Sequence, residues 1–148
     1  MSTSATTTRE MSARTSHESP LLTVMSVSEL AGRSLLALLF LLSGVGKIGA
    51  YAGTAAYMSA VGVPGALLPV VIATEAFGAI AIILGWQTRV VALLLAGYTL
   101  LAALIFHTNF ADQIEMIMFF KNVSIAGGFL LLAVHGAGPI SLDRRLAK

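Results

Sequence analysis

Four apolar runs, at residues 28 to 48, 65 to 85, 89 to 107 and 119 to 136, fix most of what this chain can become. A helix rising about 1.5 Å per residue needs roughly 20 residues to cross about 30 Å of hydrocarbon, and each run meets that length within a residue or two. Lipid offers the backbone no hydrogen bonds, so spans must be helical; four segments are too few to close a transmembrane barrel. The expected fold class is therefore an all-α integral membrane four-helix bundle. With 57% hydrophobic and only 11% charged residues among 148, a bilayer is the natural partner.

Three segments follow: a disordered Ser/Thr-rich tail at 1–24, a four-span domain at 25–143, and a basic cytoplasmic tail at 144–148. Arg9, Arg14, Arg33, Arg89, Arg144, Arg145 and Lys148 fall toward one surface, and only Lys47 and Lys121 toward the other. That bias places both termini in the cytoplasm. The two longer connections, 49–64 and 108–118, mix aromatics and Met with polar residues, as short amphipathic helices lying on the outer face would. Tyr51, Tyr57 and Trp86 suit the aromatic belts at the two interfaces. The net charge of +2 is dispersed, which argues against nucleic acid. There is no cysteine, hence no thiolate nucleophile or thiolate metal site. Neither a facing His pair for haem nor a carboxylate-and-His cluster for di-iron is present, so no metal is expected.

Glu75 lies near the middle of the second run. A carboxylate there must be protonated or paired with a cation, and a mid-span acid is a functional-site hypothesis by default. At about 100° per residue, Arg33, Ala37, Phe40, Gly44 and Lys47 share one stripe of the first span. Ala96, Leu100, Ala103 and His107 do so on the third, and Lys121, Ile125, Gly128, Leu132 and His135 on the fourth. The inward face is therefore expected to carry Arg33, Lys47, Glu75, His107, Lys121 and Asn122. Glu75 and His107 are the candidate proton relay. Lys47, Lys121, Asn122 and Arg33 are candidate charge partners or contacts for an anion or a quinone, and the pattern leaves open which cation meets Glu75.

The stretches "RSLLALLFLLSGVGKI", "YMSAVGVPGALLPVVIATEAFGAIAIILGWQTR", "FFKNVSIAGGFLLL" and "GAGPISLD", with His107 between the second and third, resemble the DoxX family of small membrane proteins over roughly residues 33 to 143. The resemblance implies four helices in the cytoplasmic membrane. For activity it implies association with quinone-linked sulfur-compound oxidation or with oxidative-stress assemblies that include rhodanese-like partners.

Three functions compete. The first is an auxiliary subunit of a membrane redox system, an oxidoreductase component with quinone as its cofactor rather than a stand-alone catalyst. The second is a small transporter or proton-coupled pore, which would need a homo-oligomer because four helices leave little lumen. The third is a scaffold in which Glu75 merely locks helix register.

Overall fold

The structure is a computed structural model that describes residues 3–147, with side chains described for residues 20–147. Its helices are α1 (Thr3–Gly49), α2 (Tyr51–Ala60), α3 (Leu68–Leu84), α4 (Thr88–Phe106), α5 (Gln113–His135) and α6 (Leu142–Leu146), with one 3-10 turn at Gly65–Leu67. Four helical segments are long and apolar enough to cross a membrane: Pro20–Gly49, Gly65–Leu84, Thr88–Phe106 and Gln113–His135. Of the disordered tail expected at 1–24, residues 20–24 continue α1, and the rest lies outside the residues described with side chains.

Local chemistry sets the boundaries. Pro64 and Pro69 flank the entry to α3, where a missing N–H costs nothing because the first turn has no partner for it. Gly85, at φ 69°, ends α3 in the left-handed conformation that glycine adopts without strain. Asp112 caps α5 by accepting a bond from the Ile114 amide at 2.8 Å. The first outer connection holds α2, as expected. In the second, the mixed apolar and polar residues are the opening turns of α5 instead of a separate helix, because no Gly or Pro interrupts the segment after the Asp112 cap.

The helices form a ring in the order α1, α3, α4, α5. Packing is most extensive between α1 and α3 and between α4 and α5; the α3–α4 seam is thinner and the α1–α5 seam thinnest. Gly44 explains the closeness of α1 and α3: a Cβ added there would lie 3.3 Å from the Ala76 nitrogen and 3.3 Å from Glu75 Cβ. Small residues at such crossings let helix backbones approach in lipid.

The dry core lies toward the α3–α4 turn, where Ala37 and Phe40 of α1, Ala79 and Ile82 of α3, Leu95 of α4 and Phe129 of α5 are buried together. Phe40 and Phe129 meet edge-on with centroids 5.3 Å apart. This end is called the turn end below, and the opposite one the α2 end.

The inward stripe expected on α1 is correct: Arg33, Ala37, Phe40 and Gly44 are buried and Lys47 is partly so. On α4, Ala96 and Ala103 are buried, but Leu100 is exposed and Leu95 and Thr99 take its place. On α5 the middle of the expected stripe holds, with Ile125 and Leu132 packed against the core and Gly128 against Leu36, while the residues buried most deeply are the neighbouring Ala126 and Phe129. The ends of the stripe, Lys121 and His135, are exposed, since a polar side chain near a helix end can reach water from the flank.

Candidate functional site

Above the core, toward the α2 end, the four helices part around a cavity of about 500 Å³. Its walls are mainly apolar, with α2 and the 3-10 turn contributing to its outer side. Tyr57 of α2, expected in an interfacial belt, lines this chamber and stacks on Phe106 at 5.6 Å. Five of the six polar residues expected to face inward border the same space: Lys47, Glu75, His107, Lys121 and Asn122.

Glu75 is only 4% exposed. Its cation is Lys47, whose Nζ donates to Oε1 at 2.9 Å and to Oε2 at 2.8 Å. The same ammonium donates to Ser43 Oγ, one helical turn earlier on α1, at 2.5 Å. Tyr98 Oη of α4 donates to Glu75 Oε1 at 2.7 Å. One carboxylate thus ties α1, α3 and α4 together beside the chamber, and both of its oxygens receive charge-assisted bonds. The close crossing at Gly44 makes this possible, since it brings the last turns of α1 against the middle of α3.

His107 follows the last residue of α4, and its Nδ1 lies 2.7 Å from Glu115 Oε2 in the first turn of α5. With Nδ1 engaged, Nε2 is the ring atom left for a ligand. Asn122 borders the chamber with no protein partner for its amide among the described residues. Lys121 is exposed at the chamber's edge, where its ammonium rests on the Met118 sulfur at 2.9 Å.

Arg33 is elsewhere. It is buried at the turn end, and its guanidinium donates to the carbonyls of Ala137, Ile140 and Ile83, the last at 3.3 Å. It therefore clasps the segment after α5 instead of meeting Glu75. The "GAGPISLD" stretch completes that clasp. Asp143 Oδ1 accepts from the Gln87 amide at 2.7 Å and Oδ2 from the Thr88 amide at 2.9 Å, which caps α4 from 55 residues away. The Asp143 amide in turn donates to the Gly85 carbonyl at 2.8 Å. Burial pushes the Asp143 carboxyl upward, but the bonds from Thr88 and Gln87 and the charge of Arg33 outweigh it and hold the group below the usual carboxylate range.

Sequence reasoning missed Tyr98, Ser43, Glu115 and Asp143. Tyr98 carried a usable signal: a hydroxyl halfway along a lipid-embedded helix needs a hydrogen-bond partner, and Glu75 was the nearest expected acceptor at that depth.

Four spanning helices around a mainly apolar chamber with a few polar side chains define an all-α integral membrane bundle. The DoxX family model matches residues 28–108. The inner membrane protein YqjF of Escherichia coli (strain K12) is 52% identical over 122 residues, covering 82% of this chain and 94% of that protein. The inner membrane protein YphA of the same organism is 46% identical over 123 residues, covering 78% and 88%. No solved structure matches the chain. The chain belongs to the DoxX family and is an integral inner-membrane protein.

Proposed function

We propose that the chain is an auxiliary, quinone-associated subunit of a membrane redox system, and that the chamber is where the quinone headgroup binds. The observation that carries this reading is the coincidence, in one apolar cavity of about 500 Å³, of the Lys47–Glu75–Tyr98 network with His107 and Asn122. Ligand sites for compact organic molecules combine mostly apolar walls with a few convergent polar groups, at volumes of roughly 300–1,000 Å³. A quinone needs an apolar slot for its ring and donors for its carbonyl oxygens. Asn122 Nδ2 supplies a donor, and His107, whose Nδ1–H is directed at the Glu115 carboxylate, offers Nε2 as an acceptor for a quinol hydroxyl, while Glu75 and His107 are groups that can hold or pass a proton. The quinone itself would supply the redox chemistry; this chain would bind, orient and shield it. With both termini in the cytoplasm, as the Lys and Arg distribution favours, the chamber lies in the outer half of the membrane, and catalysis on the sulfur or oxidative-stress side belongs to a partner protein.

The test is binding by the purified protein. Ubiquinone-type headgroups should bind the wild type and the surface control Arg145→Ala equally, and about tenfold more weakly to Asn122→Leu. Equal affinity in all three, or no binding to any, overturns the reading.

A second reading has one observation in its favour: Lys47 and Tyr98 already satisfy Glu75, and Ser43 accepts from Lys47, so the network can serve as a three-helix lock in a scaffold. In that case, replacing Lys47 and Glu75 together with apolar residues preserves cellular function along with the fold.

A further inference from the structure

Leu36, Leu39 and Ser43 lie along one side of α1, at the spacings of three and four that keep residues on one helix face. Gly44 lies on the side that meets α3. The side carrying Leu36 meets α5, since a Cβ added to Gly128 would lie 3.1 Å from Leu36 Cδ2. At that level the α1–α5 seam is shut, with the Phe40 and Phe129 rings packed behind it.

One turn closer to the α2 end the seam is different. Leu39 lines the chamber and is nevertheless 44% exposed. Nearer the α2 end on α5, on the same face as Gly128 and two turns from it, Lys121 also lines the chamber and is exposed. A side chain that is at once chamber wall and outer surface marks a wall one side chain thick. Leu101 of α4 also lines the chamber and is 57% exposed, but the seams on either side of α4 are tied, whereas the α1–α5 seam is the thinnest of the ring. Glu75 and Tyr98 bridge α3 to α4 at 2.7 Å, and α4 packs extensively on α5.

We infer that the chamber opens sideways between α1 and α5 into the acyl-chain layer, and that its ligand carries an apolar tail that leaves past Leu39. This rests on the quinone reading and adds the class of ligand and its route. Leu39 is ten residues before the end of α1, about 15 Å along the helix axis, which is the depth of hydrocarbon and not of headgroups. A cavity of about 500 Å³ suits a ring with a short substituent, so a long isoprenoid chain has to continue outside it. A ligand dissolved in the bilayer reaches such an opening without crossing water. Lys121, nearer the α2 end than Leu39, has only a thioether as its acceptor among the described residues, a weak one, and its long side chain can reach toward a lipid phosphate or an approaching carbonyl.

The chain lacks cysteine, so single-cysteine variants label at one position only. Leu39→Cys, Leu101→Cys on α4 and the lipid-facing control Leu38→Cys would be labelled in nanodiscs with a membrane-soluble maleimide. The probes are a decyl-tailed ubiquinone and the tail-less headgroup, with binding of each measured on the same samples. At ten times the Kd, the tailed quinone should slow labelling at Leu39→Cys about tenfold, the unliganded fraction then being about one in eleven. The tail-less headgroup should bind and slow it far less, and Leu38→Cys should be unaffected. Binding of both probes with Leu39→Cys unprotected, or with Leu101→Cys protected in its place, overturns the route while leaving the quinone reading intact. Binding of neither removes the quinone reading and the inference with it.

Discussion

Lys47→Met removes the cation that meets Glu75 and leaves a carboxylate whose side chain is 5% exposed with, among the described residues, the Tyr98 phenol as its donor. Breaking a buried ion pair from one side costs about 3–5 kcal/mol, whereas an exposed pair is worth about 0–1. The side chains are 25% exposed for Lys47 and 5% for Glu75, so the pair lies close to the buried limit and the expected loss is about 3 kcal/mol. Glu75→Leu should cost less, about 1 kcal/mol, because Lys47 can turn toward water while the Tyr98 hydroxyl loses its acceptor. The double variant removes both charges and retains only the Tyr98 loss, again about 1 kcal/mol, which gives a coupling of about 3 kcal/mol between the two sites. Reversible unfolding in SDS mixed micelles reads all four free energies, with Trp86, the sole tryptophan, as the fluorescent probe. A Lys47→Met variant within about 1 kcal/mol of wild type, or a double variant as unstable as the two losses added, would refute the assignment of Lys47 as the partner that neutralises Glu75.

Gly44→Leu should cost about 1–3 kcal/mol in the same assay by forcing α1 away from the Ala76 backbone, while Gly46→Leu, with nothing within 4 Å of an added Cβ, should be near neutral. Asp143 provides a pH test. Its folded carboxyl titrates below the unfolded one, so its stabilisation is complete above the unfolded value and disappears as pH falls through the folded value. Asp143→Ala should therefore be less stable than wild type at neutral pH and the gap should narrow on acidification, as followed by unfolding midpoints at successive pH values; a gap that widened in acid would contradict the capping role.

How much of this was legible in the sequence depends on the kind of interaction. The four spans follow from run length alone, and the inward face of α1 from a strict spacing of Arg33, Ala37, Phe40, Gly44 and Lys47. Glu75 was legible as a residue in need of a partner. The identity of that partner was not, because Lys47 and Arg33 share a stripe, and choosing between them depends on the relative height of α1 and α3, which is set by the close crossing at Gly44. The ends of the α5 stripe were misjudged for a different reason. Charge was used to locate the inside, yet a lysine near the end of a span can satisfy itself from the flank, and the neighbouring Asn122, with no long stem, was the better indicator. Asp143 stood only as the last residue of the four-span domain, because nothing local announces that its carboxylate will cap a helix whose first residue is 55 positions earlier.

The polar residues inside the bundle sort into two groups by what they bind, and the division bears on function. At the turn end, Arg33 and Asp143 are directed at backbone: carbonyls of the C-terminal segment for the first, amides of α4 for the second. Backbone groups at helix ends are orphaned by the geometry of the helix itself, so residues that satisfy them are accounted for by folding alone. At the α2 end the pattern reverses. Lys47 and Tyr98 meet through the Glu75 carboxylate, and His107 pairs with Glu115, all of them side chain to side chain. Such a network could be replaced by apolar side chains without leaving a backbone group unsatisfied, and in lipid that replacement would generally cost nothing or stabilise the fold. Its position against the mainly apolar cavity of about 500 Å³, and not within the apolar core a few turns below, favours ligand recognition over helix pairing as the account of it.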